Sequence, residues 1–353
     1  MVTEGNEMFA DAQHEGHDRY LDALHPGEAA GPRDPGETFL PEDAFYRHDG
    51  TGSHRDTYAG LPVADLDELD GHGDLDPSRF AWPLHGGEIY EEADGAGFTA
   101  GLEELLDTVD GSGIQAVVVA GISSRDAPAV LAANAHRLPA LRSLFLGFIE
   151  PDYQISWIQQ GDVTPVLEAF PRLRRLDVRG AGGLSLSPVR HASLEILRFE
   201  SGGLPGEVVR ALGRCDLPAL EHLELWLGVA EYGGDATVAD LEGILSGEGL
   251  PALRRLGLRD SEIQDEVAAA VASAPVVARL EALSLAMGDL GDEGAEALLS
   301  GQPLTHLRHL DLHHHFLTAP MGERVRGALP GVAIDLSEPR GQLGDWRYVA
   351  VAE

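Results

Sequence analysis

The sequence has no lysine, a single cysteine (Cys215) and few aromatic residues, 6% of 353. One cysteine excludes an internal disulfide and any site built from several cysteine ligands, so we expect a reducing, cytoplasmic location. No run approaches the about 20 apolar residues that a membrane-spanning helix needs. The first ten residues carry Glu4 and Glu7 and have no apolar centre, so we expect no secretory signal.

Positive charge is also scarce, since 25 arginines stand against 59 acidic residues and the net charge is −34. Nucleic acids and anionic membranes would repel such a chain, so we expect neither as a partner. Residues 1–110 hold 27 of the acidic side chains but only 5 arginines. Within them, residues 1–59 show no sustained apolar period, which predicts a disordered acidic tail. The histidines there are irregularly spaced, which favours solvated sequence over a metal site.

Apolar patterning begins after this tail and predicts a cap over 60–113. Leu61–Leu66 and Phe80–Leu84 predict short edge strands, because Pro62 and Pro83 cannot donate to a central ladder. Apolar residues at helical spacing follow between Phe98 and Val109. Residues 114–120 are apolar and β-branched, which is typical of a buried strand.

An internal repeat occupies the rest of the chain. A pattern of three leucines, separated by two residues and then by one, recurs seven times with minor substitutions. Ile334 and Leu336 form a partial last copy. Successive copies lie 21 to 33 residues apart, which is the period of a solenoid. Apolar residues at helical spacing between the copies predict a helix in each interval. The seven copies are Leu141/Leu144/Leu146, Leu173/Leu176/Val178, Leu194/Leu197/Phe199, Leu220/Leu223/Leu225, Leu253/Leu256/Leu258, Leu280/Leu283/Leu285 and Leu307/Leu310/Leu312.

These copies resemble known leucine-rich repeats. Residues 283–298 are similar to the ribonuclease-inhibitor type, and the resemblance covers about 114–337. The segments 155–160, 232–238, 261–266 and 312–315 look like an uncharacterised leucine-rich-repeat family of GC-rich bacteria. The resemblance implies an α/β horseshoe with parallel strands on the concave face and helices on the convex face. It also implies a binding scaffold. We expect residues 338–353 to form a C-terminal cap or tail, in which residues 347–351 predict a small closing strand.

The sequence departs from the family at the turn after each strand. Leucine-rich repeats usually place Asn or Cys there, eight residues after the first leucine, and its side chain bonds the turn backbone. No asparagine ladder can form here, and we expect His315 to bond backbone at its turn instead. The residues at these positions are Ile149, Ala181, Gly202, Gly228, Ser261, Gly288 and His315.

Strand alternation predicts which side chains share the concave face. If the leucines point inward, their alternate neighbours point outward and form rows across adjacent strands. The residues between the two inward positions form the central row, which is Phe145, Asp177, Arg198, Glu224, Gly257, Ser284, Asp311 and Asp335. The preceding row is Ser143, Arg175, Ile196, His222, Arg255, Ala282, His309 and Ala333. The following row is Gly147, Arg179, Glu200, Trp226, Arg259, Ala286, His313 and Ser337.

The middle of this map predicts a binding surface. Small residues around Ser284 form a floor, with Glu224, solvent-facing Trp226 and Arg259 on one side and His309, Asp311 and His313 on the other. A small floor between large polar walls predicts a hollow, although an unused solvated face is the alternative. The charges of alternating sign towards Asp177 are explained by cross-strand ion pairs.

Long intervals place further candidates on loops at the carboxyl ends of the strands. One loop carries Tyr153 and Trp157, and another carries Tyr232. Scaffold-positioned loops commonly bind partners, although Trp157 packing back over its own loop is slightly favoured over exposure.

The histidines also raise the question of a metal. His309 and His313 lie about 13 Å apart along one strand, too far for one ion. Asp311 and His313 could share an ion only with Asp335 or a loop ligand. We therefore expect no metal and no cofactor.

Two classes of function remain open. The first is a non-catalytic scaffold that binds a protein or peptide through the concave face and the adjoining loops. The second is a metal-assisted hydrolase or modification enzyme that uses Glu224, Asp311 and His313. No serine-nucleophile, phosphate-loop or HExxH motif stands in a suitable context. The repeat architecture favours the scaffold, with Glu224, Trp226, Tyr232, Arg259, Ser284, His309, Asp311 and His313 as candidate contacts.

Overall fold

The repeat leucines build one continuous apolar core in the computed structural model, which describes residues 57–64, 76–86, 94–148, 155–341 and 346–352. The leucines of successive copies stack on consecutive parallel strands, where Leu225 pairs in register with Leu258, and Leu256 with Leu283. All of these leucines are buried. The predicted spine of stacked aliphatic side chains is confirmed, because one leucine from each coil occupies the same place in the next.

The sheet has ten parallel strands whose spatial order follows the chain from one edge to the other. A separate two-stranded antiparallel hairpin, β1 and β2, precedes it. The hairpin strands are β1 Thr57–Tyr58 and β2 Leu61–Pro62. The sheet strands are β3 Ala81–His85, β4 Ala116–Ala120, β5 Ser143–Phe148, β6 Arg175–Arg179, β7 Ile196–Glu200, β8 His222–Gly228, β9 Arg255–Ser261, β10 Ala282–Ser284, β11 His309–Asp311 and β12 Ala333–Asp335.

Helices pack on the leucine side of this sheet and leave its other side, the open face, to the outward rows. The predicted cap supplies the edge strand β3, which contains Pro83, and the helix α1. The α-helices are α1 Gly95–Thr108, α2 Ala127–Ala133, α3 Thr164–Ala169, α4 Gly206–Leu212, α5 Glu242–Ser246, α6 Gln264–Val271, α7 Asp292–Ser300 and α8 Ala319–Ala328. No helix within the described ranges is both long enough and apolar enough to span a bilayer.

One interval contradicts the prediction that every coil contains a helix. Residues 180–195, between β6 and β7, form no helix. This interval is the shortest of the repeat, and its chain stays extended instead, with isolated parallel bridges from Gly182 to Gln159 and from Ser185 to Asp162. A short coil can satisfy its backbone this way, because the neighbouring coils supply hydrogen-bond partners.

The turns after the strands are held without the asparagine ladder. Adjacent turns exchange backbone hydrogen bonds, as from Asp260 N to Ala286 O (2.9 Å) and from Met287 N to His313 O (2.9 Å). His315 bonds backbone as expected, because Nδ1 accepts from Leu317 N (3.1 Å) and Nε2 lies 3.3 Å from Leu336 O. The turns also need a left-handed residue, at Gly180, Gly228, Asp260, Met287, His314 and Glu338.

Candidate functional site

The outward rows lie in the predicted register. Across the middle of the sheet, Glu224 is opposite Gly257, Gly257 is opposite Ser284, and Ser284 is opposite Asp311. Trp226 pairs with Arg259 in the following row. Strand alternation thus predicted the register of these strand residues correctly. It did not predict how deeply their side chains are buried or which groups they contact.

Glu224 is the centre of the first group of candidates. Its Oε1 accepts hydrogen bonds from Trp226 Nε1 (2.9 Å) and Arg259 NH1 (2.7 Å), and Oε2 lies 3.4 Å from Arg198 NH2. Burial alone raises the pKa of Glu224, but the guanidinium groups of Arg198 and Arg259 outweigh it and hold the pKa well below its usual range. Glu224 is therefore a structural anion between two cations, and it is not poised to accept a proton.

The expectation that Trp226 faces solvent is wrong. Trp226, Glu224 and Arg259 each have 0% of their surface exposed. The indole packs in a small apolar cluster with Ala286, Met287 and Val351, and the Arg259 guanidinium lies 5.8 Å from the centre of its ring. The predicted hollow is filled on this side, because a later part of the chain packs over the small residues of its floor.

The cross-strand ion pairs predicted towards the first strands are present and buried. Arg179 NH2 lies 2.9 Å from Glu200 Oε2, and Arg198 lies between Asp177 and Glu224. Asp177 also accepts hydrogen bonds from Arg175 Nε (2.6 Å) and from a tyrosine hydroxyl of the hairpin described below. These charges pair with one another across four strands, which supports a structural role for this half of the face.

The other side of the predicted hollow is a group of three candidates. Asp311 accepts from Ser284 Oγ at Oδ2 (2.8 Å), and its Oδ1 lies 2.7 Å from His313 Nδ1. Burial raises the pKa of Asp311, but the hydrogen bond from His313 and the charge of Arg259 lower it below its usual value overall. The serine donates to the carboxylate and not to the histidine, so this is not the arrangement that activates a serine nucleophile.

Asp335 completes a group that could hold a cation. One potential ligand atom each from Asp311, His313 and Asp335 lies within 4.8 Å of the others. Carboxylate oxygen and imidazole nitrogen suit several divalent metals. Glu224 is not part of this group, because three strand spacings, about 14 Å, separate it from Asp311 in the sheet. The structure thus brings together only part of the residue set predicted for a hydrolase.

The remaining candidates lie at the edges of the face. His309 is exposed at the start of β11, and Tyr232 is half-buried on a short 3₁₀ turn after β8. Trp157 is 61% exposed on the loop between β5 and β6, so it does not pack back over that loop. Its neighbours Ile155 and Ile158 are buried and join the cluster around Trp226. Tyr153 lies outside the described residues.

Sequence reasoning missed the chain segment that covers the carboxyl ends of the strands. Residues 347–351 were predicted to form a closing strand, but the structure assigns them no strand. Residues 346–352, here the C-terminal segment, instead cross the turns after β9, β10 and β11. Ala350 N donates to Met287 O (2.7 Å), and Val351 N donates to Asp260 Oδ1 (2.9 Å). Its approach to Gly202 is so close that a Cβ there would lie 2.1 Å from the Ala352 oxygen.

A second cover, also missed, lies over the first strands. Tyr58 of the hairpin packs edge to face on Phe145 with ring centres 5.5 Å apart, and its hydroxyl donates to Asp177 Oδ2 (2.9 Å). The Arg175 guanidinium lies 5.1 Å from the tyrosine ring centre. Ala81, Ala116 and Val118 complete this outer apolar cluster. The alanine and valine residues at outward positions were a sequence signal for such a cover, because they leave a strip of the open face apolar.

Comparison with known proteins gives structural neighbours alone. The sequence matches no protein-family model and no curated protein. A crystal structure of a Bacteroides fragilis protein from a structural genomics programme is similar, with 28% identity, a TM-score of 0.65, and 70% of this chain and 72% of that chain covered. An internalin from Listeria monocytogenes matches with 17% identity and a TM-score of 0.41 over 79% of this chain and 72% of its own. A leucine-rich-repeat protein from Leptospira interrogans matches with 16% identity and a TM-score of 0.33 over 79% and 59%.

The architecture itself identifies the fold. Single parallel strands follow one another in sheet order, the seven strands β5 to β11 carry the leucine pattern, and the intervening chain returns on the leucine side. This arrangement is the leucine-rich-repeat solenoid, as the repeat predicted.

Proposed function

We propose that this leucine-rich-repeat chain is a non-catalytic scaffold that binds a protein or peptide partner through its open face and the loops at the carboxyl ends of the strands. Solenoids commonly offer such extended surfaces for binding. One observation carries the proposal, which is that this edge of the sheet already holds a stretch of polypeptide through the backbone amides of Ala350 and Val351. A cytoplasmic location remains our prediction from the single cysteine.

Exposed side chains on the adjoining loops extend the proposed contact surface. Trp157 leaves 61% of its surface exposed beside a buried cluster. Large aromatic side chains are frequent anchors of protein interfaces. Tyr232 and His309 are further accessible candidates, whereas Trp226 and Arg259 are buried and shape the surface from beneath.

Site-specific photocrosslinking would test the proposal. A benzophenone amino acid at Trp157 or at Tyr232 is expected to crosslink one partner in cells that produce the full chain. The matched control carries the same group at Glu323, an exposed residue of α8 on the opposite side of the sheet. A partner captured equally well from Glu323, or none captured from either loop position, would overturn the assignment of this surface.

A metal-dependent activity is the second candidate, and the grouping of Asp311, His313 and Asp335 favours it. Metal analysis and calorimetric titration of the purified protein with Zn²⁺ and Mn²⁺ would test it. Stoichiometric binding that is lost in the Asp311→Asn variant would support this activity, and the absence of binding would reject it.

A further inference from the structure

The C-terminal segment contacts three consecutive turns. In each of these turns the contacting residue has a left-handed backbone conformation, with a positive φ. Asp260, Met287 and His314 have φ values of 55°, 71° and 52°. A non-glycine residue in this region is strained. The equivalent turns after β6 and β8 use Gly180 and Gly228, which adopt the conformation without strain. Side chains thus occupy these three turns, and also the turn at Glu338, where glycine would be the easier choice.

Each of these three residues contacts the segment. Asp260 accepts from Val351 N, Met287 O accepts from Ala350 N, and His314 Nε2 lies 3.1 Å from Tyr348 O. Backbone strain at a non-glycine residue is characteristic of binding sites, because surrounding contacts must compensate for it. Here they come both from the next coil, as from Asp260 N to Ala286 O, and from the segment.

Asp260 shows the same specialisation in its side chain. It is fully buried, and its Oδ2 has no hydrogen-bond partner within the described part of the chain. A buried carboxyl is costly unless donors satisfy it, and Oδ1 receives its donor from Val351 N. Asp260 therefore provides a buried hydrogen-bond acceptor for a peptide amide in the turn after β9. Leucine packing alone would hold the scaffold together without this acceptor.

The side chains of the segment define what the edge accepts. Arg347 NH1 donates to Asp265 Oδ2 (2.8 Å) and Asp289 O (2.7 Å). The Tyr348 ring packs at right angles on Phe316, with ring centres 5.3 Å apart. Val351 enters the cluster of Trp226, Ala286 and Met287. The edge thus binds three side chains of the segment: the cation of Arg347, the aromatic ring of the next residue, and a small aliphatic side chain four residues after the cation.

We propose that the carboxyl edge of strands β9–β11 is a groove for peptides of the pattern Arg-Tyr-x-x-Val, and that the C-terminal segment fills it as an internal competitor. A partner binds by presenting a segment of the same chemistry, which displaces residues 346–352. The inference rests on the proposed scaffold function and names its recognition element. A tethered competitor lowers the apparent affinity of a free peptide, because its effective concentration reaches the millimolar range.

A fluorescent peptide of residues 346–353, titrated against full-length proteins, tests the proposal. The double variant Arg347→Glu, Val351→Asp loses the cation and places a charge against Trp226, so its own segment should leave the groove while the scaffold is untouched. We expect it to bind the peptide at least about tenfold more tightly than the wild-type chain does. The matched control is Trp346→Ala, because Trp346 is 68% exposed on the same segment, and it should behave as the wild type.

A second substitution tests the groove directly. The Arg347→Glu, Val351→Asp variant, whose own segment has left the groove, is here the released chain. Asp260→Gly relieves the backbone strain and removes the acceptor. Added to the released chain, it should weaken peptide binding about tenfold or more without loss of folding. Unchanged binding would show that Asp260 has no part in recognition. Equal binding of the peptide by wild-type and released chains would overturn the groove, as would a peptide carrying the two segment substitutions that binds equally well. A released chain that forms dimers in place of binding peptide would overturn the internal-competitor arrangement.

The outcomes separate this inference from the scaffold function. If Trp157 crosslinks a partner but the released chain binds no peptide, the scaffold stands and the groove is wrong. If the released chain binds peptide but no partner crosslinks at the loops, the groove stands and the proposed function is wrong.

Discussion

Glu224 shows how a single buried charge organises the open face. Its carboxylate meets Arg259 at 2.7 Å and Arg198 at 3.4 Å, and it also accepts from the Trp226 indole. Two buried guanidinium groups near one another are tolerable only with an anion between them. The residue that the sequence offered as a contact for a partner is the one that holds its neighbours in place.

The Glu224→Gln variant is expected to lose about 3–5 kcal/mol of unfolding free energy, because an amide leaves Arg198 and Arg259 without the charge that compensates them. The matched control is Glu281→Gln, since Glu281 pairs with the largely exposed Arg308 at 3.4 Å and should change stability by at most about 1 kcal/mol. Urea unfolding followed by circular dichroism measures both. Similar small losses would mean that the buried group does not depend on this anion.

At the scale of the element, stability comes from stacking one strand on the next. In β10, Leu283 lies in register between Leu256 of β9 and Leu310 of β11, and it is fully buried. A leucine removed there leaves a cavity with walls on two neighbouring coils, which cannot collapse independently.

The Leu283→Ala variant should therefore lose about 2–5 kcal/mol of unfolding free energy. The comparison is Leu299→Ala on helix α7, where the side chain is only half-buried and a smaller loss is expected. Denaturant unfolding of the two variants gives the difference. A larger loss at Leu299 would show that helix packing, and not strand stacking, dominates this part of the solenoid.

At the scale of the whole molecule, the ends of the described chain decide what remains accessible. The hairpin covers the first strands, and the C-terminal segment is tied to the middle of the solenoid through Arg347, Asp265 and the Asp289 carbonyl. Burial raises the pKa of the Asp289 carboxyl from 3.8 to about 6, while the backbone hydrogen bond from Gln264 and the charge of Arg347 oppose the increase. This group links the stability of the whole fold to pH.

Between pH 3.8 and about 6, the folded protein keeps a proton on Asp289 that the unfolded chain has released. Asp289 therefore stabilises the fold below this window, and its contribution is lost as the pH rises through it. The melting temperature of the wild type minus that of Asp289→Asn should fall as the pH rises from about 4 to about 7, since asparagine does not titrate and keeps the acceptor for Gln264 N. Thermal unfolding across this range measures the difference. A difference that stays constant or rises would contradict the shifted pKa.

The local pattern in the sequence determined the strands, their order and the membership of each outward row. This was possible because alternation along a strand and the spacing of the leucines are properties of neighbouring residues, and stacking simply repeats them. The pairing of Trp226 with Arg259 and the proximity of Asp311 to His313 followed from that register. The missing helix after β6 was within reach of the same reasoning, since its interval is the shortest.

Only the tertiary structure decided which parts of the open face are covered. Val351 lies 125 positions from Trp226 in the sequence, and no periodicity connects the two residues. The contacts of Asp260, Met287 and His314 with the C-terminal segment are equally invisible in a sequence, because they join turns of the repeat to residues far along the chain. Leucine spacing fixes a solenoid through contacts between adjacent coils, whereas the covers depend on long-range contacts that form after those coils have stacked.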